Sequence, residues 1–173
     1  MKRPLRYWIK RRLFIRNLQR ICDAKGFRIA FHRDPMELRD GNDDARDFSV
    51  HTGDTVFSVK LIPANQRNAV LQCHYKGVYC ISDGTTLPQS TYLHNKRMQF
   101  IRPTPVHRMP KAKGTVPDGE GKKIRNIFLV HPTCYKYVCV HPVRTVQTIT
   151  SGDRFLGWEL WCGRDFRKLL KSL

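Results

Sequence analysis

Asp47-Phe48-Ser49-Val50-His51-Thr52-Gly53-Asp54-Thr55-Val56-Phe57-Ser58-Val59-Lys60-Leu61-Ile62 decides how the chain is read. Two apolar-alternating runs, 47–52 and 55–62, flank Thr52-Gly53-Asp54, which is the signature of two antiparallel strands joined by a tight turn. The hairpin brings the Asp47 carboxylate and the Lys60 ammonium towards the same end of a sheet, and the two are expected to face the same side. A charge inside strands otherwise built of Phe48, Val50, Val56, Phe57, Val59 and Leu61 is costly to bury and needs a reason.

Upstream, residues 5–24 predict a helix with Trp8, Ile15, Leu18 and Cys22 on one stripe, supported by Leu5, Phe14 and Ile21, with Gly26 as its stop. Phe27 to His32 reads as a first strand and 33–46 as an acidic loop. Downstream, Val70–Tyr75 and Val78–Ser82 form a second hairpin turned at Lys76-Gly77. The stretch 83–123 carries five prolines and an excess of Lys and Arg, and reads as a long basic loop region with one strand at 97–101. Strands follow at Ile124–His131 and Tyr135–Val140. Phe155–Cys162 reads as a single strand, and Asp165–Leu173 as a closing helix.

The 173 residues suit one domain with a core at 5–82 and 124–173. A net charge of +18 is far from that of an ordinary enzyme and favours a polyanion: DNA, RNA or an anionic membrane. Acids and bases are segregated. Residues 34–54 hold seven of the fourteen acids, whereas 1–33 has Asp23 alone against eleven Lys and Arg, so the acidic stretch is either a solvated counterweight to the helix or a source of metal ligands. Arg11, Arg12, Arg16 and Arg20 are expected on the outer face of the helix. Lys111, Lys113, Lys122, Lys123 and Arg125 flank the basic loop, and Tyr7, Trp8 and Tyr92 are candidates for stacking on bases.

The six cysteines have no CxxC or CxxH spacing, although Cys73-His74 with Cys80, or Cys134 with Cys139 and His141, could be assembled into a zinc site on paper. Free thiols, no secretory leader and no apolar run of membrane-spanning length point to the cytoplasm. His32, His51 and His131 at strand ends are expected to be structural.

The segments 18–29, Asp47-Phe48-Ser49-Val50, Phe57-Ser58-Val59-Lys60 and 157–170 resemble, in this order, the first helix and strand, the strand with the first metal-binding acid, the acid-x-Lys strand, and the last strand and closing helix of the PD-(D/E)XK nuclease superfamily, particularly its Mrr-type restriction endonucleases. The resemblance implies an α/β, restriction-endonuclease-like domain with a mixed sheet, an N-terminal helix and a basic loop insertion. It also implies a catalytic set of Asp47, Ser58 and Lys60, with Asp47 holding Mg²⁺ if the chain is catalytic. Arg46 stands where the family often has proline, and Ser58 replaces its second acid. Where the family has a helix after the lysine strand, this chain has the second hairpin.

Serine supplies no full negative charge to Mg²⁺, so the expected function is binding of DNA or RNA with catalysis reduced or lost. An active Mg²⁺-dependent endonuclease, with Asp44 as a further ligand, remains open. So does a peripheral membrane or partner-binding protein that uses Trp8, Phe14 and Ile15, and a protein partner or a homodimer is compatible with either.

Overall fold

The computed structural model describes residues 5–36, 45–64, 69–74, 77–83, 107–112, 121–132, 136–140 and 146–173. Helix α1, Leu5–Lys25, buries Phe14, Ile15, Leu18, Ile21 and Cys22, the inward stripe that its periodicity predicts. It stops at Gly26, and strand β1, Arg28–Phe31, follows. β2, Phe48–His51, and β3, Thr55–Ala64, form the predicted hairpin, in antiparallel register from Phe48 opposite Val59 to His51 opposite Val56.

After β3 the chain forms β4, Ala69–His74, and β5, Val78–Asp83, which is the second predicted hairpin. β6, His107–Arg108, is a short strand in what the sequence reads as loop; the strand expected at 97–101 lies outside the described residues. β7, Lys123–Pro132, and β8, Lys136–Val140, match the two late apolar runs. β9, Val146–Ile149, is additional, and α2, Gly163–Ser172, closes the chain.

The strands form two sheets where the sequence suggests one. The first runs β1-β2-β3-β7-β11-β10 and the second β6-β5-β4-β8-β9, where β10 is Arg154–Phe155 and β11 is Trp158–Cys162. β3 and β7 are parallel neighbours over ten residue pairs, and their successors β4 and β8 are parallel neighbours in the other sheet. Both strand pairs thus cross from one sheet to the other and stack on each other. Continuous apolar runs are what buried parallel strands require, and Ile127-Phe128-Leu129-Val130 of β7 is such a run, buried throughout.

Three layers result. Phe57, Val59, Leu61, Ile127 and Leu129 face α1 and α2, while Ile62, Ala64, Phe128, Val130, Trp158 and Leu160 face Leu71, Cys73 and Tyr79 of the second sheet. The two cores share the six-stranded sheet. Gly163, the first residue of α2, lies so close to the helical layer that a β-carbon there would stand 2.8 Å from His131 Nδ1 and 3.1 Å from the Phe14 ring.

Phe155–Cys162 is two strands joined at Leu156-Gly157, whose φ values of 50° and 81° are both left-handed. A two-residue hairpin loop with both φ positive matches the twist of its strands and prefers Asn-Gly, so the leucine concealed the turn. Leu156 is half exposed, and its side chain disfavours this backbone by roughly 1–2 kcal/mol. Leu156→Asn should therefore raise the unfolding free energy by about 1 kcal/mol in urea denaturation, and an unchanged or lower midpoint would contradict this turn geometry.

Candidate functional site

The open end of the β2–β3 hairpin holds the charges singled out in the sequence. Phe48 is the register partner of Val59, yet the Asp47 N–H also donates to Val59 O at 2.9 Å, so two residues of one strand face one of the other. This is a β-bulge, and the alternation of faces slips by one across it. Asp47 and Lys60 consequently meet at the same end of the sheet, as expected, but not as same-face partners. Arg46 takes the place beside Ser58 on the side of the second sheet.

Each charged group there has an internal partner. Asp47 Oδ2 accepts the Leu61 N–H at 2.6 Å, and Arg33 Nε lies 3.8 Å from Oδ1. Burial raises the pKa of Asp47 above the usual carboxylate value, against the opposing effects of the Leu61 hydrogen bond and of Lys60, Arg33 and Arg11. Lys60 is 2% exposed and donates from Nζ to Ala45 O at 3.1 Å. Ser58 is fully buried, and its Oγ accepts from Arg46 Nε at 3.2 Å. The Arg46 guanidinium also lies 4.2 Å from the centre of the Trp158 ring and donates to Lys111 O at 3.0 Å.

These groups lie beside the carboxyl end of β1 and midway along β3 and β7, where Ser58 and Lys60 are level with Asn126 and Phe128. His32 follows β1, its N–H donates to Asp47 O at 3.0 Å, and its ring is 3.1 Å from Ser49 Oγ. His51 contacts the same hydroxyl at 2.9 Å from within β2. His131, near the end of β7, stacks on Phe14 with ring centres 4.2 Å apart. All three histidines pack or bond within the fold, as expected.

The residues present do not fit Mg²⁺. That ion needs a near-octahedral set of oxygens, usually including one or two carboxylates. Here Asp47 holds a backbone N–H among cations, and Ser58 is bonded to a guanidinium. Among the described residues no three His, Cys, Asp or Glu side chains cluster as a metal site; Asp44 lies outside them. Cys73 and Cys80 stand out of register, since Cys73 pairs with Tyr79 and Cys80 with Gln72, and so do not converge.

The candidate contacts for a polyanion divide sharply. Arg12, Arg16 and Arg20 are exposed on α1, as the helix pattern predicts. Arg11, expected beside them, is buried: it bonds the Tyr7 hydroxyl at 3.0 Å and the Pro35 carbonyl, because its position falls on the inward stripe. Tyr7 is buried with it and is not available for stacking. Arg125 is bound bidentately by Glu159, with Nη2 to Oε2 at 2.6 Å, and lies over the Phe57 ring. Burial alone would raise the pKa of Glu159, but Arg125, with Trp161 and Arg154, holds it below the ordinary value. Lys122 donates to Thr52 O at 2.9 Å, Lys111 and Lys123 are exposed, and Lys113 and Tyr92 lie outside the described residues.

Arg46 and Glu159 are the residues that sequence reasoning missed. Glu159 stood in the apolar run Trp158-Glu159-Leu160-Trp161, the same signal that marked Lys60. Arg46 had no such signal, because only the bulge turns it inward.

Two outcomes follow. Asp47→Ala leaves the Leu61 N–H without its acceptor and should cost about 1–3 kcal/mol. Asp47→Asn keeps an acceptor and loses a buried charge, so it should cost much less; equal losses in urea denaturation would refute the capping role. His131 is pushed down to about 3 from 6.5, by burial first and then by Arg11. Between those values the unfolded chain binds a proton there that the folded protein does not. Stability should therefore fall as pH drops through this window, by at most ~1.4 kcal/mol per pH unit. Asp47 acts in the opposite sense just above 3.8, where the folded state holds its proton. The difference between wild type and His131→Gln across a pH series isolates the histidine, and parallel curves would exclude it.

Comparison with protein-family models, curated proteins and solved structures returns no match to the chain.

Proposed function

We propose that the protein binds nucleic acid through basic helix surfaces on a nuclease-like scaffold and does not cleave what it binds. The observation that carries this reading is the net charge of +18, presented in part by the exposed Arg12, Arg16 and Arg20 on α1. Charge of one sign on a surface attracts a polyanion with little regard to its sequence. In support of the scaffold, an N-terminal helix leads into three antiparallel strands, the third pairs in parallel with a later strand, and a helix closes the chain. This is the order that the resemblance to PD-(D/E)XK nucleases implies, with the second sheet in place of the helix expected after β3.

The loss of catalysis is supported by the internal partners of Asp47, Ser58 and Lys60. Ser58→Glu, which on sequence grounds would restore a metal ligand, would place its carboxylate against Arg46. A second reading has one observation in its favour: Leu5, Ile9 and Leu13 form an exposed apolar stripe on α1 among basic residues, as on helices that lie on anionic lipid. Of Trp8, Phe14 and Ile15, which the sequence assigns to that role, Phe14 and Ile15 are buried and Trp8 is partly exposed.

Binding of labelled duplex DNA, single strands and RNA across a salt series tests the proposal. The affinity of wild type should fall steeply with salt, and Arg12→Gln, Arg16→Gln and Arg20→Gln together should flatten the slope on duplex DNA by about 0.9 per lost contact. Duplex DNA incubated with Mg²⁺ should stay intact. No measurable binding, or cleavage abolished by both Asp47→Asn and Lys60→Met, would overturn the reading. Preferential binding to phosphatidylserine vesicles, lost in Leu5→Ser with Ile9→Ser, would favour the lipid alternative.

A further inference from the structure

α1 and α2 pack side by side on the first sheet and leave a groove of about 580 Å³ between them. Its walls carry Arg20 and Lys25 from α1 and Arg164, Arg167, Lys168 and Lys171 from α2. Only Arg20 of these six cations stood among the contacts expected from sequence. The volume is that of a ligand cleft, but such clefts are lined mainly by apolar and aromatic side chains with a few polar groups. This lining is the reverse, with six cations against Ile21 and Ala24 as its apolar members.

Like charges three and four residues apart on a helix repel one another. α2 has four such pairs: Arg164 with Arg167, Arg164 with Lys168, Arg167 with Lys171, and Lys168 with Lys171. Asp165 is the acid beside them, with Oδ1 3.4 Å from Arg164 Nε and 3.9 Å from Lys168 Nζ. Both basic partners are more than two-thirds exposed, so these pairs are weak and a phosphate can replace them. The Cys162 thiol and the Ser151 hydroxyl also hold Asp165, which leaves it less to offer the cations. The core accounts for Phe166 and Leu170 on the inner side of α2 and gives no reason for the row of cations on the other.

We propose that this groove seats the sugar-phosphate backbone of a nucleic-acid strand, an inference that rests on the nucleic-acid reading above and assigns it a place. Arg164, Lys168 and Lys171 extend over eight residues, or ~10 Å of helix axis. That is longer than a single phosphate group, so the row can meet neighbouring phosphates of one strand. A lone phosphate would use one end of the row. A backbone laid lengthwise has cations on both sides, from α2 along one wall and from Arg20 and Lys25 along the other.

The test compares two triple variants of the full chain with equal loss of charge. Arg164→Gln, Lys168→Gln and Lys171→Gln remove three cations of the α2 wall, while Arg28→Gln, Arg108→Gln and Arg154→Gln remove exposed cations on strands away from the helices. On labelled duplex DNA the groove variant should flatten the salt slope by about 0.9 per contact, up to ~2.7, and the control variant should leave it near that of wild type. The melting temperature of the groove variant should be unchanged or raised, because like-charge repulsion is relieved.

Equal losses in the two variants would reduce the effect to general charge and overturn the assignment. A slope unchanged in the groove variant, with wild type still binding, would overturn the groove alone and leave the nucleic-acid reading standing. Absence of binding by wild type would remove both. Binding to phosphatidylserine vesicles that the groove variant loses, while its nucleic-acid affinity is intact, would assign the groove to lipid and overturn the proposal.

Discussion

Burial of β3 on both faces is the constraint on which the rest of the structure depends. One face lies under two helices and the other against a second sheet, so every polar group along the strand must find its partner inside the protein. Ser58 takes a guanidinium, Lys60 a backbone carbonyl, and Leu61 lends its N–H to a carboxylate. The bulge at Asp47 makes these pairings compatible by turning Asp47 and Arg46 in different directions from adjacent positions in the chain. Side chains that would suit a reaction centre on a half-open sheet become fasteners in a sheet covered on both sides.

The same reasoning separates two populations of arginine. Arg11, Arg46 and Arg125 stand against hydroxyls, carbonyls, rings or a carboxylate, where the planar fork of the guanidinium suits several partners at once. Arg12, Arg16, Arg20 and Arg164 face water. Net charge alone therefore overstates the surface available to a polyanion, and burial decides which cations remain to meet one.

Elements whose signal is local were legible in the sequence. The stripe of α1, the Thr52-Gly53-Asp54 turn, the turn into β5 at Gly77 and the apolar run of β7 each rest on side chains within a few positions of one another. The candidate site was legible in part, because a charge in an apolar strand announces itself, and Asp47 and Lys60 do meet at one end of the hairpin. Their roles were not legible. A bulge is a relation between two strands, and the identity of residues 46–48 does not reveal that Val59 O receives two N–H groups. The second sheet was equally hidden, since the pairing of β4 with β8 joins segments more than sixty residues apart. Leu156 supplied a side chain that turns avoid, and so masked the break between β10 and β11.

Covering β3 with a later strand also bears on how the chain reaches this structure. α1, β1, β2 and β3 are consecutive and can associate early, but β7 joins β3 only after residues 65–122 have been bridged. Closing so long an excursion before its contacts stabilise anything slows folding. Until β7 arrives, β3 presents an open row of amides and carbonyls flanked by valine, phenylalanine and leucine, a template to which another chain can add. Refolding at high protein concentration, or during synthesis while β7 is still being made, thus becomes a kinetic competition between the correct parallel partner and a neighbouring molecule.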